Sequence, residues 1–260
     1  MRTLLTCAVL VSLPALAANP LDGTWVSKED TATMDRRPYT ISLARGVWKS
    51  DGPVPPISVK ADGFDYPVKG HAYFDTVSAR PTGKDSVEVR TKKAGNAVTS
   101  SVFSVSADGN ALTQSWTDQS TGVPQTGEVV FERVGKAPGG AHAVSGTWRA
   151  TKIRNLSASA KTVTYKVSDK TVSMSTPAGL RYEAGLDGKA VPLEGDPAKT
   201  TISVKVTGPG TLVETSKRAG KVVEVDRMTA APDGKTMVVD WDDREARRKG
   251  TLTLEKSPGP

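Results

Sequence analysis

The amino-acid sequence predicts an all-β protein of two tandem, small, antiparallel up-and-down β-barrels, with about eight or nine strands each. Three observations predict this fold class. The chain repeats itself, each copy is a series of short β-branched runs separated by glycine-containing turns, and each copy begins with Gly-Thr-Trp. No stretch between the turns has the periodicity of a long helix.

The internal repeat is the strongest of these observations. Residues 66–118 align on residues 191–243 without a gap, at a constant shift of 125. The ends of the copies match at a shift of 123, where Gly23-Thr24-Trp25 aligns with Gly146-Thr147-Trp148. Two copies of one domain are therefore expected.

The repeat sets the expected domain boundaries. We expect a signal peptide at residues 1–17, a first barrel at 18–135, a linker at 136–143 and a second barrel at 144–256, followed by a short tail at 257–260. The linker is rich in glycine, alanine and proline, which favours an irregular connection.

Each copy reads as strand after strand. The second copy contains the runs KTVTYKV, TTISVKV, TLVETSK and KVVEVDRM, punctuated by turns such as Pro-Asp-Gly and Arg-Ala-Gly. An open antiparallel sheet of this length would leave exposed edges, and closure into a small barrel removes them.

The N-terminal segment predicts export from the cytoplasm. An apolar run from Leu4 to Leu16 follows Arg2 and ends in the small-x-small pattern of a signal-peptide cleavage site, with cleavage expected after Ala17. The run is too short for a membrane span, and no second apolar stretch follows. We therefore expect a periplasmic or secreted protein without a membrane span. The only cysteine, Cys7, lies in this leader, so no disulfide is expected in the processed chain.

The net charge and the histidine content indicate which kinds of binding partner to expect. The formal net charge is +7, which suits attraction to an anionic envelope polymer or an envelope protein. The basic residues 244–249 lack interleaved aromatic residues, so no nucleic-acid binding is expected. The two histidines, His71 and His142, have no partners at metal-ligand spacing, and the sequence indicates neither a metal nor a cofactor.

A tryptophan near the first strand and a cation near the last can close one end of a barrel. The cation lies over the indole, and its donors reach backbone carbonyls. We expect Trp25 to pair with Arg133 and Trp148 to pair with Lys256. The alternative is that these are ordinary core tryptophans and surface cations.

The first copy also resembles a known family. The segments DYPVKG, DTVS, KKAG, VSADG and VVFERV are similar to those of secreted bacterial lipocalin-like (calycin-type) domains. The resemblance implies a calycin-type barrel that binds a small apolar ligand. The second copy departs from the pattern, with VPLEG at 191–195 and Lys256 in place of arginine, so we expect its end closure to be weaker.

Alternation along the strands separates inward from outward side chains. With hairpin turns at Ala94-Gly95 and Ala219-Gly220, Glu214 and Arg227 share a face and are diagonal neighbours. This pair is either a polar contact for a ligand headgroup or an ion pair at the wet rim of the barrel. The full inward sets predicted in this way are Val87, Val89, Thr91, Val98, Ser100 and Val102 in the first copy, and Leu212, Glu214, Ser216, Val223, Val225 and Arg227 in the second.

The strand after each Asp-Gly turn supplies the other candidate ligand contacts. Gln114 and Trp116 share a face with Leu112, and Trp241 shares one with Met237. Leu112 and Met237 are expected in the core. Trp116 and Trp241 are expected near the open ends of the barrels, where an indole can support an acyl chain, a ring or a sugar. The alternative is a second core tryptophan in each barrel.

These observations favour a binding protein for a small apolar or amphipathic molecule held in a barrel cavity. One alternative is a non-catalytic structural or interaction module of the envelope whose barrels are filled by their own side chains. A second alternative is a hydrolase or isomerase built in the cavity, for which Glu214 is the candidate acid or base. Since no nucleophile–base arrangement is evident, the sequence favours binding over catalysis.

Overall fold

A computed structural model describes residues 19–35 and 37–258 of the chain. The expected signal peptide lies outside the described residues. The described chain is almost entirely β, with one single-turn α-helix and one short 3-10 helix, so the predicted fold class is confirmed. None of the described helices is long and apolar enough to cross a membrane.

The strands of the first half are β1 (Gly23–Ser27), β2 (Tyr39–Ala44), β3 (Val47–Ser50), β4 (Ile57–Lys60), β5 (Tyr66–Pro67), β6 (Thr76–Pro81), β7 (Ser86–Lys93), β8 (Asn96–Val105), β9 (Ala111–Asp118) and β10 (Gln125–Val134). The second half contains β11 (Gly146–Arg154), β12 (Thr162–Val167), β13 (Thr171–Ser175), β14 (Arg181–Gly185), β15 (Val191–Pro192), β16 (Thr201–Gly208), β17 (Thr211–Arg218), β18 (Lys221–Ala230), β19 (Thr236–Asp243) and β20 (Arg248–Lys256). The 3-10 helix is Glu29–Thr31, and α1 is Ala158–Lys161.

The strands form two antiparallel, nearly closed, barrel-like sheets of ten strands each, slightly more than the eight or nine expected. One sheet has the order β4-β3-β2-β11-β10-β9-β8-β7-β6-β5 and is called the first barrel below. The other has the order β14-β13-β12-β1-β20-β19-β18-β17-β16-β15 and is called the second barrel. In the second barrel, the ends of the sheet meet at Arg181 and Glu194, whose backbones exchange hydrogen bonds of 3.1 and 2.9 Å.

The first strand of the chain belongs to the second barrel, which the sequence did not predict. β1 pairs with β12 and with β20, and β11 pairs with β10 and β2. The first barrel is therefore continuous from Tyr39 to Arg154 and is inserted between the first and second strands of the other barrel. The expected boundaries at 18–135 and 144–256 miss this exchange, because they assign each Gly-Thr-Trp strand to the copy in which it occurs.

The segment between residues 134 and 146 does not connect the two barrels. It joins β10 to β11 inside the first barrel, and hydrogen bonds attach it there: His142 N donates to Leu43 O at 3.4 Å and Ser145 Oγ accepts from Leu43 N at 2.9 Å. The chain passes between the barrels at residues 28–38 and 155–161 instead. These crossings touch, since Leu156 N donates to Oε1 of Glu29 at 3.1 Å.

Each barrel has its own apolar core. Ile41, Val77, Val87, Leu112 and Trp148 are fully buried in the first barrel. Their counterparts in the second barrel include Trp25, Val172, Val204, Leu212 and Met237. The predicted core positions Leu112 and Met237 are thereby confirmed.

A β-bulge in each barrel changes which side chains point inward. Ala94 and Gly95 have positive φ angles of 48° and 81°, as a two-residue hairpin turn requires. The register then shifts between Thr91 and Lys92, because Val98 is an extra residue on β8. From this point Thr99, Ser101 and Phe103 face inward, and the predicted inward residues Ser100 and Val102 face outward; Val102 is 37% exposed.

The same shift occurs in the second barrel, between Ser216 and Lys217, where Val223 is the extra residue. It places Asp226, not Arg227, opposite Glu214. The predicted inward positions of Val225 and Arg227 are therefore wrong.

Candidate functional site

The end of each barrel is closed by a tryptophan and a cation, but with exchanged partners. The Arg133 guanidinium lies 4.0 Å from the ring centre of Trp148, and Nζ of Lys256 lies 5.0 Å from that of Trp25. The expected pairs, Trp25 with Arg133 and Trp148 with Lys256, are wrong because β1 and β11 complete the opposite barrels. Both indoles are fully buried.

The two closures differ in their hydrogen bonds. Arg133 donates to the carbonyls of Gly109, Ala143 and Ser145 at 2.6 to 2.8 Å. Gly146 has a φ of 148°, and a Cβ there would collide with Nη1 of Arg133, which explains the glycine two positions before the tryptophan. Lysine has no planar fork of donors, and Lys256 lies farther from its indole.

A pocket of about 350 Å³ lies where the first barrel meets the second. Its inner wall belongs to the first barrel and is mostly apolar. Tyr39 and Phe131 form an edge-to-face pair with ring centres 5.4 Å apart, and Phe103 lies 5.4 Å from Trp48 behind it. Val129 and Ala150 also belong to this wall. The surface suits an aliphatic chain or a ring.

The outer wall of the pocket comes from the second barrel and from the first crossing segment. Trp241 on β19 and Arg248 on β20 face the first barrel here, and Met34, Asp35 and Arg37 lie on the crossing. Gly250 stands directly opposite Trp241 in the β-ladder, and a Cβ at Gly250 would overlap the indole ring. The missing side chain lets the indole lie against the sheet.

Charged groups concentrate at the mouth of this pocket. Nε of Arg37 donates to Oδ2 of Asp35 at 2.6 Å, and this hydrogen bond, together with the charge of Arg248, lowers the pKa of Asp35. Nη2 of Arg248 donates to the carbonyl of Gly52 at 3.1 Å, which fastens the second barrel to a loop of the first. Burial raises the pKa of Tyr39, which stays protonated.

Two of the five predicted ligand contacts line this pocket. Gln114, whose Nε2 donates to Ser101 Oγ at 3.1 Å, lies on the inner wall, and Trp241 lies on the outer wall. Trp116 lies instead in a separate surface depression with Glu128 and Asn155. The ligand-binding role of these residues stays a prediction.

The other two predicted contacts do not meet. Arg227 is exposed on the outer face of its strand, where Nη1 lies 3.4 Å from Thr207 Oγ1. Glu214 is only 8% exposed and accepts a short hydrogen bond from the Tyr182 hydroxyl. The predicted Glu214–Arg227 pair is wrong because the bulge at Val223 turns Arg227 to the outer face of the strand.

An acidic cluster fills the interior where the ion pair was expected. Glu214 faces Asp226 across the ladder, and Glu224 faces both Ser216 and Asp243. Burial raises the pKa of Glu214 to about 7, and burial together with the neighbouring carboxylates raises that of Asp226 to about 8. The aligned positions of the first barrel hold Val89, Ser101 and Thr99. The two interiors have therefore diverged chemically.

Sequence reasoning missed several residues of the pocket. Phe131 shares a strand face with Val129, so alternation could have found it once the inward face of β10 was known. Tyr39, Met34 and Arg248 give no local signal, because only the chain crossing and the contact between barrels bring them together. No protein-family model matches the chain, and no significant relative is found among curated proteins.

Proposed function

We propose that the protein is an extracytoplasmic binding protein for a small apolar or amphipathic molecule, held in the pocket between the two barrels. The observation that carries this proposal is the pocket of about 350 Å³, whose inner wall is formed by Tyr39, Phe103, Val129 and Phe131. Convergent polar groups at the mouth of an apolar cavity are typical of ligand sites.

Burial of apolar ligand surface would supply most of the affinity. The gain is about 25 cal/mol for each Å² of apolar surface removed from water. Two of the three aromatic rings at the inner wall are held by core packing, since Phe103 and Phe131 are both buried. A rigid wall reduces the entropy lost on binding.

The proposal also includes a structural class for the barrels and a cellular compartment for the protein. A buried tryptophan under a cation at the end of each barrel supports a lipocalin-like (calycin-type) origin of the two barrels. The apolar leader supports periplasmic or secreted localisation.

A second candidate function applies to the second barrel. Its interior is occupied by large buried side chains, including Tyr165, Tyr182, Met228 and Met237. This filling supports a structural or interaction role in the envelope for that barrel. The hydrolase or isomerase alternative gains no support, because Glu214 is enclosed by tyrosines and does not line the pocket between the barrels.

The test is calorimetric titration with a neutral aromatic probe, 2-naphthamide, in the protein and in two variants. Ala150→Phe fills the pocket, and Ala97→Phe places the same ring on an exposed strand position. We expect binding that Ala150→Phe removes and Ala97→Phe preserves, with both variants folded by circular dichroism. Binding that survives in Ala150→Phe would place the ligand elsewhere and contradict the proposal.

A further inference from the structure

We propose that the ligand carries an anionic group, a carboxylate or its equivalent, which Arg248 of the second barrel holds against the apolar pocket of the first barrel. The inference rests on the proposed function and specifies its ligand class.

Two of the three charged side chains at the mouth neutralise one another. Asp35 accepts from Arg37 through both the backbone N–H, at 2.9 Å, and Nε, at 2.6 Å. The side chain of Asp35 is 17% exposed and that of Arg37 57% exposed. Of the three charged side chains that line the pocket, Arg248 is therefore the one without a paired counter-charge in the described chain.

Arg248 has donors to spare. Two other cations of the β19–β20 hairpin, Arg244 and Lys249, lie 3.6 and 3.3 Å from Oδ2 of Asp242, and Glu245 of this hairpin pairs with Arg218 of β17 at 2.6 Å. Asp243, opposite Arg248 in the ladder, accepts a hydrogen bond from Ala246 N at 2.8 Å. Within the described part of the chain, Arg248 forms no ion pair, and its hydrogen bond is to the Gly52 carbonyl. A guanidinium has five N–H donors in a planar fork, so most remain available.

The surroundings strengthen an anion contact at this point. Arg248 is partly buried beside Tyr39 and Trp241. A charge-assisted bidentate hydrogen bond in such a place is stronger than the same contact at an exposed surface. An amphipathic acid would put its carboxylate on Arg248 and its apolar part against Phe103 and Phe131.

Residues from both barrels are then needed to form the complete site. The cation and the indole of Trp241 belong to the second barrel, and the apolar wall belongs to the first. The hydrogen bond from Arg248 to Gly52 already links the two walls. The exchange of β1 and β11 keeps the barrels together and so preserves this composite arrangement.

The experiment compares two probes of nearly equal shape, 2-naphthoate and 2-naphthamide, by calorimetric titration of the full protein at pH 7. We expect the carboxylate to bind at least about tenfold more tightly than the amide, because only the carboxylate forms a charge-assisted pair. We expect Arg248→Gln to abolish this preference, and Arg244→Gln, an exposed arginine of the same hairpin, to retain it.

The outcomes separate the two proposals. Equal affinity of both probes in the unaltered protein would overturn the anion assignment and leave the binding function standing. Binding of neither probe would contradict the binding function itself. A preference that survives in a folded Arg248→Gln protein would assign the anion to another group and overturn the inference.

Discussion

The guanidinium of Arg133 lies 4.0 Å from the ring centre of Trp148, and its three hydrogen bonds tie β10 to the β8–β9 turn at Gly109 and to the chain that enters β11 at Ala143 and Ser145. Lys256 and Trp25 form the equivalent contact in the second barrel at 5.0 Å. The two closures thus have the same plan and different chemistry.

We predict that Arg133→Lys destabilises the protein more than Lys256→Met does. Lysine cannot reach the carbonyls of Gly109, Ala143 and Ser145 together, so partly buried acceptors lose their donors at a cost of about 1–3 kcal/mol. Lys256→Met keeps the apolar stem over Trp25, and the expected loss is below about 1 kcal/mol. Urea unfolding measures the loss of unfolding free energy in both variants. Equal losses would show that the hydrogen bonds of Arg133 contribute nothing specific.

A cut in the segment between β10 and β11 should not release two barrels. Residues 135–140 are exposed and suit the insertion of a protease site. Because β1 lies in the second barrel and β11 in the first, each fragment retains a strand of the other fragment's barrel. We expect the cleaved fragments to co-elute in size-exclusion chromatography and to separate only in denaturant. Two independently eluting halves in native buffer would refute the exchange.

The acidic interior of the second barrel should make stability depend on pH. Burial raises the pKa of Glu214 from its ordinary value of 4.5 to about 7. Below pH 4.5 the group is protonated in both the folded and the unfolded chain, so the full stability is present. As the pH rises towards 7, the unfolded chain loses this proton and the folded chain keeps it, so the free energy of unfolding falls.

The expected loss attributable to Glu214 is about 3 kcal/mol across that window, at 1.36 kcal/mol for each pKa unit. Glu214→Gln keeps the shape and removes the titration, so its unfolding free energy should change less between pH 5 and pH 8. Glu183→Gln, an exposed glutamate on β14, is the control. Urea unfolding at several pH values measures the effect, and identical pH profiles for the protein and Glu214→Gln would contradict the placement of this carboxyl.

The fold could be predicted from the sequence because its signals are local. Turns such as Ala94-Gly95 and Asp108-Gly109 mark the strand ends, and the repeat at a shift of 125 shows that the pattern occurs twice. The inward faces were predicted correctly up to each bulge. Beyond it, one extra residue, Val98 or Val223, reversed the alternation, and nothing in the adjoining sequence marks that residue as extra.

The strand exchange could not be predicted from local sequence. Gly23-Thr24-Trp25 and Gly146-Thr147-Trp148 are nearly interchangeable, so either strand offers the same glycine and the same indole to either barrel. The outer wall of the pocket could not be predicted either, because Trp241 and Arg248 reach the first barrel only through the way the two barrels meet.

The most direct test of the account is a pair of double-cysteine variants of the processed protein that report which strand lies beside β1. Val26 stands opposite Glu255 in the ladder between β1 and β20, and the residue aligned with Glu255 in the first copy is Glu132. Mass spectrometry of the monomer after mild oxidation, without reductant, detects the disulfide. The account predicts efficient bridging of Val26→Cys with Glu255→Cys and none of Val26→Cys with Glu132→Cys; the opposite result would show that each barrel closes on its own copy and would contradict the exchange.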